Sequence, residues 1–303
     1  MKVKKKLLII GSAGVRLRLQ CERLPYAGEK ADGVKYAYAP DTLAAASAVC
    51  AVGMGTEAVL LTRVGPDANG TKLVSLLQKK GVDTRFAVKD QKEATSLTVA
   101  LEEDAADTRQ IRYKGASVNL TENDVEEAFN CYPDGVLLRL EGSEESLRAA
   151  ERFAAEREVP LFVCAADIEK ADSVYLPPKC HTFIGDAKSV LALVGMAPSN
   201  PDAALRCAIE MSRKISARHI LFRMNNGCIY VYDGSFGRIL DKISKGHSFG
   251  DVFPAAYVCE FLKCGNILAS AKFALATAML WEACGETFDT VPTAAEVRED
   301  AGI

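Results

Sequence analysis

The sequence predicts an α/β protein in which a mostly parallel sheet is covered by helices on both faces, with a small second sheet beside it. Three observations predict this. Short apolar runs recur along the whole length as continuous stretches, the pattern of strands buried on both faces. Helix-patterned segments lie between several of them, as crossovers between parallel strands require. Two stretches within the first 115 residues break that rhythm and alternate apolar with polar residues, as paired strands with one wet face do.

Leu7 to Ile10 is the first continuous run. Val15 to Tyr38 alternates around Pro25 and Gly28 and is long enough for an antiparallel pair. Thr42 to Val52 is Ala-rich, with Asp41 or Thr42 placed to cap it. After the run Ala58 to Thr62 comes a helical pattern, Gly70 to Lys80, stopped by Gly81. Ser96 to Tyr113 alternates around Glu102-Glu103-Asp104 and can pair with the earlier alternating stretch. The runs Val136 to Leu140 and Pro160 to Cys164 flank an amphipathic helix, Glu144 to Arg157. Asn200-Pro201 opens a helix to about Lys214, with proline at its first position. His219 to Phe222 and Cys228 to Tyr232 are the last runs.

Composition bounds the function. The 303 residues carry a net charge of −3 and 49% hydrophobic residues, ordinary for a soluble globular protein and wrong for a disordered or fibrous one. That balance gives no electrostatic reason to expect nucleic acid or an anionic membrane as a partner. The basic start, Met1 to Lys6, leads into an apolar run of only Leu7 to Ile10, and Arg16 and Arg18 follow, too short a run for a signal peptide. The longest uncharged stretch, Thr42 to Thr56, has 15 residues against the ~20 of a membrane span. The chain therefore reads as cytoplasmic. Its ten cysteines form no Cys-x-x-Cys pair and its three histidines are scattered, so reduced thiols are expected and no metal site.

Chemistry concentrates in Lys245-Gly246-His247-Ser248-Phe249-Gly250-Asp251-Val252-Phe253-Pro254. Pro254 fits only the first turn of a helix, and the apolar run Ala255 to Leu262 continues it towards Gly265. A helix is therefore expected to start between Gly250 and Phe253, with Gly246 and Gly250 in the entering loop. Such a junction offers free N–H groups and a positive dipole end to a phosphate. Asp251 there either caps the helix or acts as a base, and spacing alone leaves both open.

Read in order, the chain resembles the ribokinase-like (PfkB) carbohydrate kinase family. Ile9-Ile10-Gly11-Ser12 resembles the family's first strand and turn, and Leu24-Pro25-Tyr26-Ala27-Gly28-Glu29 its lid segment. Val64-Gly65-Pro66-Asp67-Ala68-Asn69-Gly70 is similar to its Gly-x-Asp-x-x-Gly turn, and Leu77 to Asp83 follows as it does there. Lys114-Gly115-Ala116 and Leu120-Thr121 match its Gly-Ala and Leu-Thr. Ala271 to Ala278, Gly285, Val291-Pro292-Thr293 and Glu296-Val297 resemble its closing helices. Gly250-Asp251-Val252-Phe253 matches the end of its signature Asp-Thr-Thr-Gly-Ala-Gly-Asp-x-Phe.

The resemblance implies a single three-layer α/β/α domain over residues 1–303, with a small β lid contributed by about 15–38 and 96–113. It implies phosphoryl transfer from ATP, with magnesium, to a hydroxyl of a sugar or nucleoside. Asp251 would be the catalytic base, and the backbone amides of Ser248, Phe249 and Gly250 an anion hole. It also implies pairing of two copies through the lid strands.

The departures from the pattern cluster. Arg16 stands where the family has a sugar-binding Asp, and Asp41-Thr42 and Ala46 replace its Gly-Gly and Asn. Arg16, Asp41 and Thr42 thus occupy the acceptor-binding positions. Gly185-Asp186-Ala187-Lys188 aligns with Asn-x-x-Glu, placing a cation where a magnesium-organising carboxylate is expected. Arg223-Met224-Asn225 replaces Thr-x-Gly near the nucleotide. Lys188 could neutralise phosphate directly, and Asp186 is either a displaced metal-organising carboxylate or a surface residue. Arg16, Arg18 and Arg112 form either a basic lid face for an acidic ligand or solvated strand charges, and His247 either meets phosphate or faces water. Two functions follow: an active divergent kinase, or a catalytically impaired pseudokinase that keeps the fold for ligand binding or regulation. A dinucleotide-dependent oxidoreductase rests only on Gly11-Ser12-Ala13-Gly14, which lacks the third glycine.

Overall fold

A computed structural model of the chain describes residues 4–41, 43–103, 107–166, 168, 174–244 and 246–302. The chain opens with β1 (Lys6–Ile10), β2 (Gly14–Cys21), β3 (Gly33–Asp41), α1 (Leu43–Gly53), β4 (Glu57–Val64) and α2 (Ala68–Lys79). Next come β5 (Ala87–Lys89), β6 (Ser96–Glu103), β7 (Asp107–Tyr113), a 3-10 turn at Gly115–Val118, α3 (Glu122–Phe129), β8 (Gly135–Arg139) and α4 (Glu144–Glu156). Beyond them lie β9 (Leu161–Ala165), β10 (Lys179–Gly185), α5 (Ala187–Val194), α6 (Pro201–Lys214), β11 (Ser216–Arg223), β12 (Cys228–Tyr232) and β13 (Gly237–Lys242). The last helices are α7 (Gly246–Asp251), α8 (Phe253–Cys264), α9 (Ile267–Ala283) and α10 (Ala294–Ala301).

Nine strands form the large sheet in the order β13-β12-β11-β10-β9-β8-β1-β4-β5, with every pairing parallel except those of β12 with β11 and β13, which are antiparallel. Strand β1 alternates between two cores. Leu7 and Ile9 pack with α1, α8 and α9, while Leu8 and Ile10 pack with α3, α4 and α6 on the other face. This is the expected three-layer sandwich. From β1 the chain runs outward through β4 to β5, then returns to the opposite side of β1 at β8 and continues through β9 to β11. The carboxyl ends of β1 and β8 are therefore a topological switch point, where connections diverge and leave room for a ligand.

The two alternating segments pair into a four-stranded sheet, β3-β2-β6-β7, as expected. Its register sorts the side chains by face. Leu17 and Leu19 stand opposite Tyr38 and Tyr36, and Val99 opposite Ile111, giving an apolar face on which Tyr36 is 73% and Ile111 74% exposed. Arg16, Thr98 and Arg112 form one rung of the other, polar face.

The turn Gly65-Pro66-Asp67 explains itself. Asp67 caps α2 through Gly70 N–H and also accepts from the amide and hydroxyl of Thr95. A Cβ on Gly65 would stand 2.4 Å from Thr95 N, so only glycine allows that approach.

Two expectations need correction. The segment before Asp251 is not a loop: α7 begins at Gly246, and only Val252 separates it from α8, whose first turn holds Pro254 and whose end is the left-handed Gly265. Strand β10 is absent from the apolar runs, because its residues are Lys, Cys, His and Thr before Phe183.

Candidate functional site

The site grows from the switch point. Ser12, just past β1, is 2% exposed, and its N–H donates to Glu141 Oε2 at 3.3 Å. Glu141 follows β8, whose last residue is Arg139. That arginine is 1% exposed, which an unpaired guanidinium does not survive. Its Nε and Nη2 donate to Glu141 Oε1 at 3.0 and 2.8 Å, and its Nη1 donates to the carbonyl of Gly250 at 2.6 Å. Gly11 makes the room: a Cβ there would lie 3.0 Å from Arg139 Cβ. Burial works against both charges. Glu141 and then Asp251 among the nearby acids hold Arg139 charged, while Arg139 and then Arg112 hold Glu141 below the usual carboxylate range.

Asp251 ends α7 and is 2% exposed. Its carbonyl accepts from Ser47 Oγ at 2.6 Å, and the next carbonyl, of Val252, accepts from Cys50 Sγ at 3.5 Å. Both donors lie on α1, so the strand frame and the first helix grip the same short segment. Phe249 is fully buried against Phe253, with ring centroids 4.9 Å apart. Counted from Gly246, the Ser248 amide is the last that a helix leaves without an intrahelical acceptor, and Phe249 and Gly250 are the first two positions at which the helical ladder takes the amide.

The lid meets this site through its polar rung. Arg16 donates to Asp41 Oδ1 through Nε at 2.9 Å and Nη2 at 2.7 Å, and Thr98 Oγ1 donates to Asp41 Oδ2. Arg112 Nη2 donates to Ser12 Oγ at 3.1 Å. Two residues named separately from the sequence, Arg16 and Asp41, are thus partners. Thr42 and Lys245 lie outside the described residues, as does the side chain of His247. Arg18 pairs with Glu102 at 3.3 Å.

A magnesium ion held by the chain's own carboxylates does not fit the residues present. Asp186 Oδ1 accepts from Ser189 N–H at 2.7 Å and caps α5, while two positions on, Lys188 puts an ammonium where the family pattern has a carboxylate. Among the described residues no three His, Cys, Asp or Glu gather as metal ligands. Arg223, on the nucleotide side of the expected site, donates to the carbonyls of Ile243 and Ser244 at 3.1 and 3.0 Å, holding the backbone that enters the signature segment.

Sequence reasoning passed over Arg139, Glu141, Ser47 and Thr98. The available signal was Arg139 itself, a charged residue inside an otherwise apolar buried run, which has to be paired.

A family model described as pfkB family carbohydrate kinase matches residues 4–294. The ribokinase of Bacillus subtilis (strain 168) is 25% identical over 189 residues, a match covering 58% of this chain and 63% of that relative's length. Among solved structures, Arabidopsis thaliana ribokinase complexed with ribose and ATP superposes with a TM-score of 0.86 at 18% identity, covering 99% of this chain and 100% of that one. Giardia lamblia ribokinase gives 0.85 at 16% identity, covering 99% of each chain. A putative ribokinase II from E. coli, solved with ATP and Mg2+, gives 0.77 at 14% identity, covering 98% of this chain and 99% of its own.

Proposed function

Since the chain belongs to the pfkB family of carbohydrate kinases, we propose that it transfers a phosphoryl group from ATP to a hydroxyl of a sugar or sugar-like acceptor, with Asp251 as base. The observation that carries this reading is the placement of Asp251 beside the switch point, on a segment gripped by Arg139, Ser47 and Cys50. In the reaction the acceptor oxygen attacks the γ-phosphorus, the bond to ADP breaks, and the acceptor proton passes to the Asp251 carboxylate. The backbone around Ser248, Phe249 and Gly250 faces the charge growing on the transferred group, with the Ser248 amide the one that the α7 ladder leaves open to it. Lys188, in the first turn of α5, would neutralise phosphate charge directly. Small acceptors bind under the lid, and two copies pair through its apolar face.

A second reading, a pseudokinase that binds ligand without turnover, is favoured by one observation. Asp41 is already engaged with Arg16 and Thr98, so an acceptor hydroxyl has to compete for it. Incubation of the purified protein with ATP, Mg2+ and a panel of sugars and nucleosides, read as ADP release, separates the two. Turnover that falls about 10²- to 10⁴-fold in Asp251→Asn supports the kinase. Turnover unchanged in that variant removes Asp251 as base, and nucleotide binding without turnover supports the pseudokinase.

A further inference from the structure

Pro254 stands four residues after Gly250 and has no N–H, so the helical bond that would end on the Gly250 carbonyl cannot form. The break is local. Val252, with φ −105° and ψ −32°, nearly continues the helix, and its carbonyl accepts from Ala256 N–H at 3.0 Å, where the ladder resumes. The carbonyls of Gly250 and Asp251 are left in the gap, in a segment that is buried throughout. An unmet buried carbonyl is costly, and two side chains meet these: Arg139 Nη1 at Gly250 and Ser47 Oγ at Asp251, each at 2.6 Å.

The Gly250 carbonyl and the Asp251 nitrogen share one peptide unit. Arg139 holds that unit with one arm and Glu141 with the other two donors, and Glu141 is tied in turn to Ser12. We propose that Arg139 is the positioning residue of this site: its guanidinium supplies the hydrogen bond that Pro254 cannot, and so fixes the peptide that carries Asp251 against the ends of β1 and β8. The proposal rests on the reading of Asp251 as base for its catalytic consequence, while its structural content stands apart from turnover.

Arg139→Lys tests it. Lysine keeps a cation beside Glu141 but has no fork to reach Glu141 and Gly250 together. Amide hydrogen exchange over residues 246–256 of the ligand-free protein is expected to quicken about tenfold or more, with β1 and β8 unchanged. In the active enzyme, kcat is expected to fall about 10- to 100-fold, with KM for ATP and acceptor within about threefold, as for a misplaced reacting group. Adding Pro254→Ala restores a donor, and exchange in the double variant should move back towards that of the parent. If Arg139→Lys fails to fold, Arg139→Gln with Glu141→Gln removes both charges and should show the same local loosening. Exchange over 246–256 equal to that of the parent overturns the proposal, and so does loosening with kcat unchanged. Absence of turnover in the parent retires the kinase reading alone, because exchange is read without substrate.

Discussion

Two arginine–carboxylate pairs stand at the carboxyl end of the sheet, and they differ in what they hold. Arg139 and Glu141 belong to the frame, with side chains 1% and 14% exposed, and their third contact is the backbone beside Asp251. Arg16 and Asp41 belong to the lid, at 19% and 3%, and they join β2 to the end of β3 with help from Thr98 on β6. The frame pair acts on the group that would take the proton. The lid pair ties together two of the groups proposed to meet the acceptor. On the proposed kinase reading, a change confined to the second arrangement should move specificity more than chemistry, since unpaired polar groups decide discrimination.

The sharpest way to break this division is Asp41→Asn. It leaves Arg16 facing a neutral amide in a mostly buried place, and about 2–3 kcal/mol of stability should be lost in urea titrations, at or below the range for breaking a fully buried pair. In an active enzyme the acceptor KM should move several-fold while kcat stays close to the parent's. A fall in kcat with KM untouched would mean that the lid pair, too, acts on the chemistry, and the distinction would fail.

The same contrast explains what the sequence disclosed. Gly250, Asp251 and Pro254 were legible because glycine, a carboxylate and a proline each restrict backbone or chemistry locally. The sandwich and the lid sheet were legible from continuous against alternating apolar patterns. Arg139 was not, because its partners lie 111 residues away at Gly250 and across a turn at Glu141, and the run Val136 to Leu140 reads as apolar around it. Nor was the Arg16–Asp41 pair, which exists only once β2 and β3 are in register. Strand β10 escaped for a similar reason: His181 is placed by an edge-to-face contact with His219 and a tilted one with Phe261, tertiary contacts no local pattern encodes.

The lid differs from the frame in a second way, which a smaller effect would expose. Its outer face leaves Val34, Tyr36, Tyr38, Ile111 and Tyr113 in water, more apolar surface than a lone small sheet ordinarily leaves uncovered. A second copy of the chain is the expected cover. Sedimentation should show a dimer, and Ile111→Asp should weaken it about tenfold or more, ~1.4 kcal/mol, with the Arg139 and Arg16 pairs undisturbed. A monomeric parent protein at all concentrations would leave the lid face to some other purpose.

The smallest expected effect lies in the frame alone and comes from acid. His181 and His219 sit side by side on β10 and β11, ring centroids 5.1 Å apart, both against Phe261 of α8, which stacks on Tyr257, and His181 also against Phe162 of β9. Burial, then His219 and Arg218, lowers His181 to about 4; burial also lowers His219, with Asp233 opposing and Arg218 adding to the shift. A histidine depressed in the folded state binds its proton more readily when unfolded. Stability is therefore complete above about pH 6.5, the unfolded value, and drains away as pH falls from there through about 4. Glu141, held low by Arg139, contributes stability that acid removes only below the usual carboxylate value of 4.5, so the interval between pH 6.5 and 4.5 belongs to the histidines. The melting temperature should drop by a few degrees between pH 7 and pH 5, and His181→Phe should flatten that drop while leaving the lid pair as it was. A melting temperature equal at the two pH values would show that these rings reach water freely and that the frame under α8 is looser than its packing indicates.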